Sequence, residues 1–176
     1  MRLSKSKLRE ETERWLLEIA NVKSMKDGLF ITLTIPPKSI SPYMKNNGFI
    51  DMSKREVCIS MLRNLKNRIK KKFYCRRSWR GGFIPIIEGN GKNKNFHFHI
   101  IISIPDKHSK IKYRNELREY IEGCWKQVMR MDWVSIQIDE GNDLKRRVEY
   151  ICKEITHLTS DCIVAELLED NNRLPI

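Results

Sequence analysis

A chain of 176 residues has room for one domain with a core of its own. Its formal net charge of +12 points to a polyanionic partner, nucleic acid first and an anionic membrane surface second. No apolar run approaches membrane-spanning length, the first residues lack the apolar stretch of a secretory signal, no G-x-x-x-x-G-K-[ST] loop is present, and the five cysteines form no C-x-x-C pair. These features argue against a membrane span, a nucleotide-driven motor, a zinc ribbon and a disulfide framework, and they predict free thiols in a reducing, intracellular and cytoplasmic setting.

In chain order, residues 4–22 have the spacing of a helix, with Leu8, Trp15, Leu16, Ile19 and Val22 as a loose apolar stripe. This helix forms an N-terminal extension over about 1–26 of a single domain spanning 1–176. Leu29 to Ile35 alternates as a strand, with Leu29, Ile31, Leu33 and Ile35 on one face and Phe30, Thr32 and Thr34 on the other. Pro36-Pro37 ends it, and a polar loop is expected through Pro42 to Gly48. Ser53-Lys54-Arg55-Glu56 is a capping box, and the helix it opens carries Cys58, Leu62, Leu65, Ile69 and Phe73.

Phe83 to Glu88 and Phe96 to Ile104 read as two strands of a hairpin, with Gly89-Asn90-Gly91 opening the loop. A second long helix runs through Leu117, Tyr120, Ile121, Cys124 and Val128, and Trp133 to Asp139 alternates as a fourth strand. Gly141-Asn142-Asp143 then caps a last helix bearing Leu144, Val148, Ile151, Ile155 and Leu158. After Ser160 the pattern is ambiguous. The order helix, β, α, β, β, α, β, α predicts an α+β fold of the split βαβ kind, ferredoxin-like or RRM-like. Its antiparallel sheet carries helices on one face and leaves the other open.

His97-Phe98-His99 is the most informative stretch. Strand side chains alternate faces, so both histidines point the same way, with Cα atoms roughly 7 Å apart. Phe96, Phe98, Ile100, Ile102 and Ile104 make the opposite, wholly apolar face. The imidazoles are therefore expected together on the open side, away from the core, as two ligands for one metal ion. A hairpin register setting residue 88 opposite residue 97 would add the Glu88 carboxylate to them. Nitrogen and oxygen ligands without a thiolate suit Mn²⁺ or Mg²⁺ in phosphate chemistry. A bare pair of strand histidines is also compatible with solvated side chains.

On the last helix, Tyr150 lies outside the apolar stripe. Its neighbours three and four residues away are Arg146, Arg147, Lys153 and Glu154. A phenol among cations is a candidate nucleophile, and Lys153 is a candidate for holding a phosphate. An amphipathic tyrosine at the edge of the core is the plainer alternative. From Asp51 to Arg80 eleven Lys and Arg face two acids, a local balance of +9. Lys70, Lys71 and Lys72, then Arg76, Arg77 and Arg80 around Trp79, suit phosphates and an unpaired base, with Arg146 and Arg147 as further cations.

Phe30-Ile31-Thr32-Leu33-Thr34, His97-Phe98-His99 followed by three bulky residues, and Tyr150-Ile151-Cys152-Lys153 together resemble the three ordered motifs of rolling-circle replication initiators of the HUH endonuclease superfamily. The resemblance spans residues 29–155. It implies a single-tyrosine, metal-dependent nickase and strand transferase acting on single-stranded DNA or an origin hairpin, through a 5′-phosphotyrosine intermediate. His97, His99 and Glu88 would be metal ligands, Tyr150 the nucleophile and Lys153 its positioning partner. Host polymerase and helicase would be functional partners, and a homo-oligomer is compatible with it. One departure is Arg147, where the third motif usually has a bulky apolar residue; this loosens the helix register. A single-tyrosine transposase or small relaxase would share the chemistry. A non-catalytic ferredoxin-like nucleic-acid-binding module is the alternative of another class.

Overall fold

A computed structural model of the chain describes residues 5–22, 25, 28–35, 37–48, 52–73, 82–89, 95–104, 110–129, 136–139, 143–153 and 162–168. The elements are α1 (Lys5–Val22), β1 (Leu29–Ile35), α2 (Pro37–Asn47), α3 (Lys54–Phe73), β2 (Phe83–Glu88), β3 (Phe96–Ile102), α4 (Lys110–Met129), β4 (Ile136–Asp139), α5 (Leu144–Cys152) and α6 (Ala165–Leu168). The chain is an α+β protein around one antiparallel sheet of order β2-β3-β1-β4. None of its described helices is long and apolar enough to cross a membrane.

Local chemistry accounts for several element ends. Ser53 and Glu56 form the expected box at the start of α3: the Ser53 N–H donates to Glu56 Oε2 at 2.7 Å, and the Glu56 N–H donates to Ser53 Oγ at 3.2 Å. The Ser53 hydroxyl and the Ser53 backbone N–H together hold the Glu56 carboxyl below its ordinary value. Gly89, just beyond β2, has φ 96°, a left-handed conformation that glycine adopts at little cost.

The segment after β1 differs from expectation, being helix α2 and not a loop. Proline is tolerated in a first helical turn, where the missing N–H has no intrahelical acceptor, so Pro37 starts the element. Ile40 and Tyr43, three residues apart, are buried in the core, and their burial holds the helix despite Pro42. The stretch after Ser160 also resolves in part. Ile163 bridges Ile86, and the Val164 N–H donates to Pro85 O at 3.2 Å, so residues 162–164 line the outer edge of β2. Proline is admissible in that strand because an edge strand can spare a ladder donor.

The sheet has a core on each side, which corrects the expectation of one open face. On the first side Leu29, Ile31, Leu33, Phe98, Ile100 and Ile102 pack against α3 and α4, with Trp125 edge-on to Phe98. On the second side Phe30, Ile84, Ile86 and Ile101 pack against Leu16 and Ala20 of α1 and against Leu144, Val148 and Ile151 of α5. Helices therefore lie on both faces. The N-terminal helix is part of the second layer, because its buried stripe needs an apolar partner and α5 alone is too short to cover the strands. Glu88, His97 and Thr34 make one end of this second face, and His99 lies one level in from them.

Candidate active site

Register builds the polar end of the second face. Glu88 and His97 are opposite one another across β2 and β3, as are Thr34 and His97 across β1 and β3, and Thr32 and His99. All five side chains thus share one face. Glu88 reaches diagonally to the farther histidine, with Oε2 3.2 Å from His99 Nε2. The other carboxylate oxygen, Oε1, is buried with no hydrogen-bond partner. Each imidazole is held from behind: His99 Nδ1 lies 3.0 Å from Thr32 Oγ1, and His97 Nδ1 lies 3.1 Å from Thr34 Oγ1.

The two rings differ in environment, which refines the expectation that both stand clear of the core. His99 is only 3 % exposed and stacks on Phe30, with centroids 5.8 Å apart and planes at 9°. His97 is half-buried. Desolvation pushes the His97 pKa below its ordinary value. Proximity to His99 pushes the same way, the Glu88 carboxylate opposes it, and the Lys153 ammonium adds to it. Its ring is therefore neutral at neutral pH, the form that can donate to a cation.

Helix α5 brings the tyrosine. Asp143 caps it, Oδ1 accepting from the Arg146 N–H at 2.9 Å. Its buried stripe is Leu144, Arg147, Val148, Ile151 and Cys152. Tyr150 falls outside that stripe and is 44 % exposed. The phenol ring meets His99 edge-on at 5.4 Å between centroids and Phe30 at 5.8 Å. Lys153 Nζ stands 3.6 Å from the centre of the Tyr150 ring, a cation–π contact. The tyrosine and lysine expected from the sequence therefore adjoin the histidines and Glu88. From α1, Arg9 Nη2 donates to the Glu149 carbonyl at 3.5 Å, one of the α5 carbonyls without an intrahelical acceptor role.

Arg147 requires a correction. It is 3 % exposed, and its Nη1 donates to the Gly28 carbonyl at 3.0 Å. A guanidinium so placed does not meet DNA. It occupies the slot where an apolar residue was expected, its stem covering the core and one head nitrogen bonded to backbone, and the helix register is thereby settled. Arg146 is exposed, one turn before Tyr150.

The cations of α3 lie elsewhere. That helix packs on the first face, and its last turn meets the start of α4, Phe73 lying edge-on to Tyr113 and Tyr120. Lys70, Lys71 and Lys72 are thus in the layer opposite the histidines, with Lys71 and Lys72 exposed. Lys66 is withdrawn from the basic surface: it is 4 % exposed and donates to the Leu167 carbonyl at 2.7 Å. Arg76, Arg77, Trp79 and Arg80 lie outside the described residues.

The sequence reading missed Thr32, Thr34 and Phe30 as members of the site. The available signal was their alternation, which puts them on one face of β1; what strand lay beside them was not in the spacing. Among the described residues no cysteine joins the donor set. Cys58 and Cys152 are buried free thiols, and burial pushes both pKa values up to about 12. Among the described residues no group of three or more His, Cys, Asp or Glu side chains is placed to hold a metal ion; Glu88 and His99 stand together as a pair. No family model matches the chain, and neither the curated proteins nor the solved structures contain a significant match to it.

Proposed function

We propose that this chain is a metal-dependent single-stranded DNA endonuclease and strand transferase of the HUH type, which initiates rolling-circle replication through a 5′-phosphotyrosine intermediate. One observation carries the proposal. The register of β1, β2 and β3 and the packing of α5 bring Glu88, His97, His99, Tyr150 and Lys153 to the same end of the same sheet face. These residues come from three separate elements, β2, β3 and the end of α5, far apart in sequence. The strand order β2-β3-β1-β4, with both hairpin partners antiparallel, also suits the ferredoxin-like plan, to which α1 adds a helix on the second face.

Donor chemistry favours a divalent cation here. A buried carboxylate oxygen without a partner, a second oxygen 3.2 Å from an imidazole nitrogen, and a neighbouring neutral imidazole form a mixed oxygen and nitrogen set. Ligands about 2.1 Å from an octahedral cation stand about 3 Å from one another, so the Glu88–His99 spacing fits Mg²⁺ or Mn²⁺. Glu88 and His99 would hold the ion, with His97 and water completing its shell. When bound, the cation supplies positive charge against the phosphate undergoing transfer.

The chain's own groups do the rest. Lys153 draws in a phosphate oxygen beside the phenol, and Arg146 extends the cationic approach to Tyr150. The Tyr150 oxygen attacks phosphorus and loses its proton to water. The bond from phosphorus to the 3′ oxygen breaks, and that oxygen takes up a proton to leave as a 3′-hydroxyl. The new phosphotyrosine keeps the energy of the broken diester, so an incoming 3′-hydroxyl can reverse the step and reseal DNA.

The decisive experiment is incubation with single-stranded DNA and Mn²⁺, followed by a denaturing gel. The parent chain should yield a covalent protein–DNA adduct carried by Tyr150. Tyr150→Phe should yield neither nick nor adduct while keeping the fold, because the ring contacts to His99 and Phe30 are retained. Binding of DNA without cleavage by the parent chain would favour a non-catalytic nucleic-acid module. An adduct on Tyr113 or Tyr120 would remove this site.

A further inference from the structure

Metal-binding histidines are commonly oriented by a group that binds the ring nitrogen away from the metal, and loss of that group weakens metal affinity by about 10–100-fold. In this chain the group on both rings is a threonine hydroxyl from β1. Thr32 Oγ1 lies 3.0 Å from His99 Nδ1, and Thr34 Oγ1 lies 3.1 Å from His97 Nδ1. The pairing is set by the backbone, since Thr32 faces His99 and Thr34 faces His97 in the β1–β3 ladder.

We propose that Thr32 and Thr34 are positioning residues for the metal ligands, each hydroxyl fixing which nitrogen of its histidine carries the proton and turning Nε2 toward Glu88. The proposal rests on the metal-dependent reading above. A hydroxyl is suited to this work because it both donates and accepts. With a proton on Nε2, the His99 ring donates to Glu88 Oε2 at 3.2 Å, and its Nδ1 accepts from the Thr32 hydroxyl. A cation on Nε2 requires the proton to reside on Nδ1 instead. The Thr32 hydroxyl then rotates and accepts that N–H, so the ring changes tautomer without moving. A carbonyl in its place would bind only the second form, and a methyl group neither.

The repeat of the arrangement two residues along both strands argues that it is not incidental. The other face of β1 at these levels is Leu33 and Ile35, so the strand supplies core packing and ring orientation from alternate residues. Thr32 and Thr34 are half-buried, so their hydroxyls compete with little bulk water for the rings.

The proposal is tested on the full chain by calorimetric Mn²⁺ titration of Thr32→Val, Thr34→Val and the two serine variants. Valine keeps the shape and removes the hydroxyl; serine keeps the hydroxyl. Each valine variant should bind Mn²⁺ at least about 10-fold more weakly than the parent. Each serine variant should restore most of the affinity. ¹⁵N spectra of the parent imidazoles give a reading independent of any variant's folding. With Zn²⁺ as a diamagnetic probe, both histidines should carry their proton on Nδ1. Equal affinities for valine variants and parent, or a Zn²⁺-bound ring protonated at Nε2, would overturn the positioning role while leaving the endonuclease reading intact. Failure of the parent chain to bind Mn²⁺ would overturn both. An affinity lost equally in serine and valine variants would assign the effect to packing and reject the hydroxyl.

Discussion

The two faces of the sheet use the same strands for different ends. On the first face Leu33, Phe98, Ile100 and their neighbours are apolar from end to end and are covered by α3 and α4. On the second face Phe30, Ile84 and Ile101 make an apolar level at one end, Thr34, His97 and Glu88 make a polar level at the other, and His99 lies between them, flanked by Thr32 and Ile86. The difference shows how a small protein can build polar side chains into a sheet face without forfeiting a core. The first face carries the larger continuous apolar layer. The apolar half of the second holds α5, and so presents Tyr150 beside His99.

The strongest way to break this comparison is to damage each core in turn. Phe98→Ala should destabilise the chain by about 3–5 kcal/mol and Ile101→Ala by about 2–5 kcal/mol. Urea unfolding measures both. The two should then part company in single-turnover nicking corrected for the folded fraction: Phe98→Ala should leave the rate unchanged, while Ile101→Ala, which undercuts α5, should lower it. Equal rates would mean that α5 is positioned by something other than its seat on the sheet.

A smaller effect separates the two histidines. His99 stacks on Phe30, so His99→Ala should lose about 0.5–1.5 kcal/mol from the ring contact alone, whereas His97→Ala should lose less. Both should lose Mn²⁺ affinity in calorimetry. A stability loss equal for the two would contradict the unequal burial of the rings.

Charge on the first face should act on DNA association and not on the bond broken. Lys71→Glu and Lys72→Glu change exposed residues in the layer away from Tyr150. If this layer touches DNA, binding to all sequences should weaken, and the slope of log affinity against log salt should fall by about 0.7 for each single-strand phosphate that the variant no longer neutralises. Nicking at saturating DNA should be unaffected. An unchanged slope would confine the DNA path to the second face.

The smallest expected effect is on pH. The His97 pKa is lowered by burial, by His99 and by Lys153, so between its folded value and the ordinary value near 6.5 the unfolded chain binds more protons than the folded one. Stability from this group is thus fully present above the ordinary value and is lost as pH falls through the lowered one. Comparing urea midpoints of the parent and His97→Asn across mildly acid pH should show a shallower pH dependence in the variant.

Alternation alone determined much of this protein. It placed Leu29 to Ile35, Phe83 to Glu88 and the His97 strand, sorted Thr32 and Thr34 from Leu33, and set His97 and His99 on one side, because strand geometry makes facing a property of odd and even positions. The capping chemistry of Ser53–Glu56 and of Asp143 was equally local. What lay beside each face was not local. Whether Glu88 faced His97 depended on the hairpin register, and whether Tyr150 met His99 depended on which side of the sheet α5 chose. The polar loop expected after β1 became α2 once Ile40 and Tyr43 found a core to enter, and the open face was covered once α1 joined α5. Arg147 reads as a surface cation from its chemistry and is a core residue by its position, because a long aliphatic stem can be buried wherever the fold offers its head a carbonyl, here that of Gly28. Spacing determines which residues share a face; the packing of distant segments decides what that face touches.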